Sequence, residues 1–244
     1  MMHSLPRPLR AVVIGSSGGL GAALAAALAA DPGIRVHAFS RSGNAPDGTL
    51  PGAIDLLDTA SIRAAADRVA AAGEPAPQLV IVASGYLHGA AGGPEKSWRQ
   101  IAPEPMAHAF AINATGPALV ARHFLDLLPR KQRAIFAALS ARVGSISDNR
   151  SGGWYGYRAS KAALNQIIKC LAIEGHRTRR ALVVAGLQPG TVRTGLSAPF
   201  RSQISEEALF TPEDAAANLL AVLDGLTPEQ SGGLFDWSGA EIAP

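Results

Sequence analysis

Short apolar runs recur along the chain, and longer stretches with helical periodicity lie between them. Ala11 to Ile14 (Ala-Val-Val-Ile), Leu79 to Ala83 (Leu-Val-Ile-Val-Ala), Ala134 to Leu139 and Ala181 to Leu187 lack polar alternation, the pattern of strands buried on both faces of a parallel sheet. Ile34 to Phe39 reads as a second strand and Ala53-Ile54-Asp55-Leu56 as a short third one. The helical stretches are an Ala/Leu-rich segment running to about Ala30, then Asp58 to Ala72, capped by Asp58 or Thr59, then Met106 to Leu128 and the segment through Ala162-Ala163-Leu164-Asn165. Pro117 should bend the third of these and free backbone carbonyls. Sustained strand–helix alternation predicts an α/β fold, a doubly wound parallel sheet with helices on both faces. No repeat, linker or composition break divides it, so residues 1–10 read as an N-terminal extension and residues 11–244 as a single domain.

Composition narrows the classes. With 48% hydrophobic residues in 244, the chain can bury a sizeable core. The net charge of +3 comes from scattered basic residues without a run of five or six, which argues against a nucleic-acid or membrane partner. Met1 to Arg10 is polar and Pro-containing, and the apolar run after it is broken by Gly15 to Gly21. Neither a signal peptide nor a membrane span is expected, which predicts a soluble cytoplasmic protein. The single Cys170 lies in an apolar helical pattern and reads as a small core hydrophobe. His88, His108, His123 and His176 show no metal-ligand spacing, so they read as surface or core residues and no metal is expected.

Three stretches carry candidate chemistry. Gly15-Ser16-Ser17-Gly18-Gly19-Leu20-Gly21 joins the first strand to the first helix. Glycine allows close backbone approach and a helix N-terminus offers free N–H groups, which together suit a dinucleotide pyrophosphate. A plain strand-to-helix turn is the competing reading. The second strand ends at Ser40-Arg41-Ser42 with no carboxylate. In a dinucleotide fold that point faces the adenosine ribose, and Arg41 with its flanking hydroxyls suits a 2′-phosphate, so NADP(H) is expected over NAD(H). A solvated loop arginine is the alternative. Finally, Tyr157 and Lys161 share one helix face, where the lysine ammonium would draw the tyrosine pKa below about 10. Taken alone, this pair could be two unrelated residues on a solvated helix.

Gly15-x-x-x-Gly19-x-Gly21, Asn113, Tyr157-x-x-x-Lys161 and Pro189-Gly190-x-Val192-x-Thr194 occur in an order that resembles the short-chain dehydrogenase/reductase family over essentially the whole chain. The runs Gly144 to Asn149 and Gly152 to Lys161 look most like C-factor and sniffer-type carbonyl reductases, and Ser231 to Asp236 resembles the family's last strand. The resemblance implies a single-domain Rossmann fold and hydride transfer between nicotinamide C4 and a carbonyl or alcohol carbon, with Tyr157 handling the hydroxyl proton. It implies that Lys161 holds the nicotinamide ribose and that Asn113 holds a water linking Lys161 to solvent. It places Asp55 and Leu56 at the adenine, and Ser84 and Gly85 at the adjacent ribose. Val192 and Thr194 would meet the carboxamide or pyrophosphate, with Ser17 and Leu20 in the glycine turn. It also implies a homodimer or homotetramer through the helices carrying Asn113 and Tyr157.

Two departures stand out. The family's catalytic serine position, counted back from Gly144, is Ala141, with Ser140 one residue earlier. A one-residue shift turns a strand side chain to the other face. Either Ser140 serves from a bulged strand end, or Ser145 serves from the loop, or the hydroxyl is missing. Val82-Ala83-Ser84-Gly85 also replaces the family's usual Asn-Asn-Ala-Gly. The family's substrate lid falls on Gly195 to Glu206, where Leu196, Pro199 and Phe200 favour an apolar carbonyl substrate and Arg193 and Arg201 could anchor a negative group. Trp154 could wall the pocket. The expected function is an NAD(P)-dependent oxidoreductase of carbonyl compounds and alcohols. Its rivals are a catalytically weak dinucleotide sensor and a nucleotide-sugar epimerase or dehydratase of the extended branch.

Overall fold

The computed structural model describes residues 2–200 and 205–244. Seven strands form a parallel sheet in the order β3-β2-β1-β4-β5-β6-β9: β1 Leu9–Ile14, β2 Ile34–Ser40, β3 Leu50–Ala53, β4 Leu79–Val82, β5 Ala134–Leu139, β6 Leu182–Gln188 and β9 Leu234–Asp236. A separate two-residue ladder joins β7 (Thr191–Val192) to β8 (Leu209–Phe210). The uninterrupted apolar runs became central strands because a parallel sheet covered on both faces leaves no side for polar residues; β1 and β4 are buried at every position.

Two cores flank the sheet. On one face α1 (Gly19–Ala29) and α6 (Pro212–Gly225) cover Val13, Ile81 and Ile135. On the other, α2 (Thr59–Ala71), α4 (Gly116–Phe124) and α5 (Tyr155–Thr178) cover Val12, Val80 and Phe136. Asp58 caps α2 by accepting the Ala60 N–H at 2.8 Å. The chain is thus a single α/β unit of the doubly wound kind, and its sheet reverses direction of growth between β1 and β4, the point where such folds open a crevice.

Four local expectations change. β1 begins at Leu9 and not at Ala11, and Met2 and Leu5 are buried in the α1–α6 core, so residues 2–10 pack as part of the domain. Arg10 disguised that start: its guanidinium is buried in β1 because it donates to the carbonyls of Val69, Gly73 and Pro75. The third strand is Leu50–Ala53, since Asp55 already turns away, giving its N–H to Ser61 Oγ at 2.9 Å and accepting from Leu57 N–H. Cys170 is exposed and not in the core. The stretch expected as one helix from Met106 to Leu128 is α3 (Pro103–Phe110), a π turn over Ala111–Thr115, then α4 and a 3-10 turn. Among the described residues no helix is long and apolar enough to cross a membrane.

Candidate active site

A cleft of about 1010 Å³ opens beyond the carboxyl ends of β1, β4, β5 and β6. Its wall includes Gly15, Ser17, Gly19, Leu20, Gly21, Ser40, Arg41, Asp55, Leu56, Ser84 and Gly85 at one end, and Ser140, Tyr157, Lys161, Pro189, Gly190, Val192 and Thr194 toward the other. Asn113, by contrast, lies behind the wall, fully buried.

At the α1 end the site is made of main chain. Gly15 has a φ of 95°, and a Cβ on Gly21 would lie 2.2 Å from the Gly15 carbonyl, so only glycine lets α1 close onto β1. A Cβ on Gly19 would strike Thr194 Cγ2 at 2.6 Å, which ties the turn to the segment after β6. Helix α1 has no side-chain cap and no acidic residue in its first turn, leaving its N–H groups for a ligand. Ser16 is buried with no partner for its hydroxyl among the described residues, whereas Ser17 reaches the cleft. Arg41 is exposed at the cleft edge and makes no ion pair among the described residues. These features fit a dinucleotide: uncapped N–H groups for the pyrophosphate and a free guanidinium for a phosphate on the ribose.

The centre is organised by Asn113. Its Oδ1 accepts the Tyr86 N–H at 2.8 Å, and its Nδ2 donates to the Tyr86 carbonyl at 2.8 Å and to Ser160 Oγ at 3.0 Å. The side chain is therefore spent holding the loop after β4 to α5, in a chain that lacks the usual asparagines in that loop. The π turn aims it there, with the Gly116 N–H bonding the carbonyl of Ala111, five residues back. Pro117, the second residue of α4, has no N–H to give to the Asn113 carbonyl four residues back.

Lys161 is buried, and its Nζ donates to the Leu139 carbonyl at 2.7 Å. It stands 5.8 Å from the Tyr157 ring centroid. The expected lowering of the Tyr157 pKa is absent from this geometry. Burial, which disfavours charge on either group, pushes Tyr157 up to about 12 and Lys161 down to about 8. At that separation the ammonium's attraction for a phenolate is weaker than the loss of water.

The serine question narrows. Ser145 is buried outside the cleft wall, with its Oγ accepting the Asp148 N–H at 3.1 Å. Ser140 reaches the wall, but its hydroxyl donates to Asn165 Oδ1 at 2.6 Å. Ala141 also lines the cleft.

The far end is made of side chains. His88 Nε2 bonds the carbonyls of Gly195 and Leu196 at 3.2 and 3.1 Å, pinning the loop after β4 to the segment after β7. Phe200 packs on His88 and Trp154, with ring centroids 5.7 and 5.0 Å apart, and Trp154 stands edge-on to Tyr157 at 6.2 Å. The Tyr86 ring meets His108 edge-on at 4.5 Å. Sequence reading assigned His88 and His108 to surface or core, and no local signal corrects that, because their partners are remote in the chain. Arg193 is paired with Glu206 at 2.5 Å and is no open anchor, and Arg201 lies outside the described residues. No cluster of three His, Cys, Asp or Glu that could hold a metal occurs among the described residues.

Residues 10–205 match the family model described as short chain dehydrogenase. The C-signal protein of Myxococcus xanthus is 36% identical over 137 residues, which span 56% of this chain and 77% of that protein. The 1-hydroxy-2-glutathionyl-2-methyl-3-butene dehydrogenase of Rhodococcus sp. strain AD45 is 40% identical over 121 residues, 50% of each. Among solved structures, the NADPH-bound carbonyl reductase from chicken fatty liver aligns with a TM-score of 0.85 at 23% identity, over 99% of this chain and 97% of that one, a likeness of fold. A short-chain dehydrogenase/reductase from Burkholderia multivorans with bound NADP aligns with a TM-score of 0.79 at 25% identity, over 98% and 100%. With the glycine turn, the buried Asn113 and the Tyr157–Lys161 pair gathered around one crevice of a seven-stranded parallel sheet, the chain belongs to the short-chain dehydrogenase/reductase family of NAD(P)-dependent oxidoreductases.

Proposed function

We propose that this oxidoreductase uses NADPH to reduce apolar aldehydes and ketones, with Tyr157 as the general acid. The observation that carries the reading is a single cleft with an uncapped helix N-terminus and an exposed Arg41, without an ion pair among the described residues, at one end and Tyr157 beside Lys161 toward the other. NADP bound to the Burkholderia relative and NADPH bound to the chicken carbonyl reductase support the choice of cofactor.

When bound, the nicotinamide supplies the hydride. The chain's own residues do the rest. The α1 N–H groups hold the pyrophosphate, and Arg41 holds the 2′-phosphate by charge-assisted bonds. Tyr157, kept protonated by burial, gives its proton to the carbonyl oxygen as that oxygen gains charge. Lys161, released from the Leu139 carbonyl, stands one helical turn away to restore that proton. The Asn113 side chain is bonded to Tyr86 and Ser160, so a water at its main-chain carbonyl, to which Pro117 gives no N–H, completes the route to solvent. Trp154, Phe200 and Leu196 give the substrate end its apolar character. The reading extends to a homo-oligomer, with Ile173 exposed on the outward side of α5.

Ala141 favours a second reading, a dinucleotide-binding sensor of low turnover, because at the end of β5 the wall offers a methyl at Ala141 and a Ser140 hydroxyl already bonded to Asn165. NADPH oxidation against a panel of aldehydes, ketones and diones separates the two. Turnover that falls about 10³-fold in Tyr157→Phe, with NADPH binding retained by fluorescence, is the expected result. Binding without turnover in the parent protein would replace the reductase reading with the sensor.

A further inference from the structure

Helix α5, which carries Tyr157 and Lys161, starts from a left-handed turn. Gly152, Gly153 and Trp154 have φ values of 62°, 65° and 53°. Glycine accepts such angles, whereas for a residue as bulky as Trp154 they are a genuine outlier that persists only where its surroundings impose it. No side chain caps the helix at Trp154 itself.

What imposes it is Glu95, from the loop between β4 and α3. The Trp154 N–H donates to the Glu95 main-chain carbonyl at 2.5 Å, and the Gly156 N–H donates to Glu95 Oε2 at 3.0 Å. One residue thereby grips the turn on both sides of Tyr155. Glu95 is only 7% exposed, and a Cβ on Gly156 would meet Glu95 Oε1 at 3.0 Å, so the carboxyl group is seated directly against the first turn of the helix. An acidic group there also suits the positive end of the helix dipole. The indole held this way lies between the Tyr157 ring and Phe200 and forms part of the cleft wall.

We propose that Glu95 is a positioning residue of the active site: it holds the Trp154–Gly156 turn, and through it fixes the Trp154 indole as the wall against which an apolar substrate lies beside Tyr157. Glu95 does not touch the reacting atoms. It acts on the geometry of Trp154, which meets the substrate, and of the adjoining turn that carries Tyr157, and small displacements of such residues carry large rate costs. The specificity part of this proposal rests on the reductase reading; the structural part does not.

The test uses the full chain with Trp98→Phe and Trp237→Phe, so that Trp154 is the sole tryptophan. Acrylamide quenching of its fluorescence, read without substrate, should rise about threefold in Glu95→Ala and in Glu95→Asp, whose shorter side chain withdraws the oxygen from Gly156. It should stay near the parent value in Glu95→Gln, which keeps an acceptor. Unchanged quenching in both Ala and Asp variants overturns the proposal, and the Asp variant decides if the Ala variant does not fold. Against an aryl ketone and a short aliphatic aldehyde, Glu95→Asp should lose about tenfold in kcat/KM for the ketone alone, with NADPH affinity unchanged and Glu95→Gln restoring it. Equal loss on both substrates overturns the specificity role. No turnover by the parent protein fails the reductase reading, while the quenching result still decides whether Glu95 holds Trp154.

Discussion

At its α1 end the cleft is bounded by main chain, with Gly15, Gly19 and Gly21 packed so closely that a single added methyl would collide with Ser84, with Thr194 or with the Gly15 carbonyl, respectively. At its α5 end it is bounded by side chains that lean on one another across the chain, His88 on Gly195 and Leu196, Phe200 on Trp154, Trp154 on Tyr157. The difference follows from what each end must bind. A pyrophosphate has fixed geometry and is met by N–H groups whose placement depends on backbone alone. A substrate of variable shape is met by replaceable side chains on loops. The α1 end should therefore fail abruptly when altered, and the α5 end should change by degrees.

The most damaging test of that contrast is Gly21→Val. With the Gly15 carbonyl only 2.2 Å from the new Cβ, α1 cannot seat on β1, and NADPH affinity should drop at least about 100-fold in a fluorescence titration. Near-normal affinity would show that the main-chain end is more forgiving than its packing indicates. A smaller effect is expected of Arg41→Ala, because the guanidinium is exposed: NADPH should weaken about tenfold while NADH is unaffected. Equal weakening of both cofactors would detach Arg41 from the 2′-phosphate. The mildest is Ala141→Ser at the α5 side, which places a hydroxyl in the cleft wall and should raise kcat severalfold at constant NADPH affinity. An unchanged kcat would mean that Ser140 already rotates away from Asn165 to serve the substrate oxygen.

The same contrast explains what could be read from the sequence. The apolar runs at Ala11, Leu79, Ala134 and Ala181 all became strands of the main sheet, because a doubly covered parallel strand leaves a purely local signature. The glycine turn was legible from its spacing, although Gly15 and Gly19 answer steric demands set by Ser84 and Thr194, far along the chain. Arg10 and Cys170 went the wrong way, as burial of a guanidinium depends on carbonyls supplied by residues 69–75, and exposure of a thiol depends on which side of α5 faces the sheet. His88 and Glu95 were silent. Each acts through partners far along the chain, and each sits in a Gly- and Pro-rich loop without periodicity. The direction of the Tyr157 shift also lay beyond sequence, because proximity to Lys161 was visible there and the depth of burial was not.

The π turn at Ala111–Thr115 carries a consequence for insertions and deletions. Its hydrogen bond spans five residues where the α-helices on either side span four, so the stretch from α3 to α4 holds one residue more than a regular helix of the same rise. Removing one residue there would narrow the turn toward regular α-helical bonding, interrupted only at Pro117. Because the wide turn had absorbed the extra residue, α3 and α4 would keep their phase, with Val120 and Phe124 still on the sheet, while Asn113 would leave Tyr86 and Ser160. The extra residue is thus a frame marker. A shortened chain can keep its helix content and still lose the alignment between core and catalytic centre.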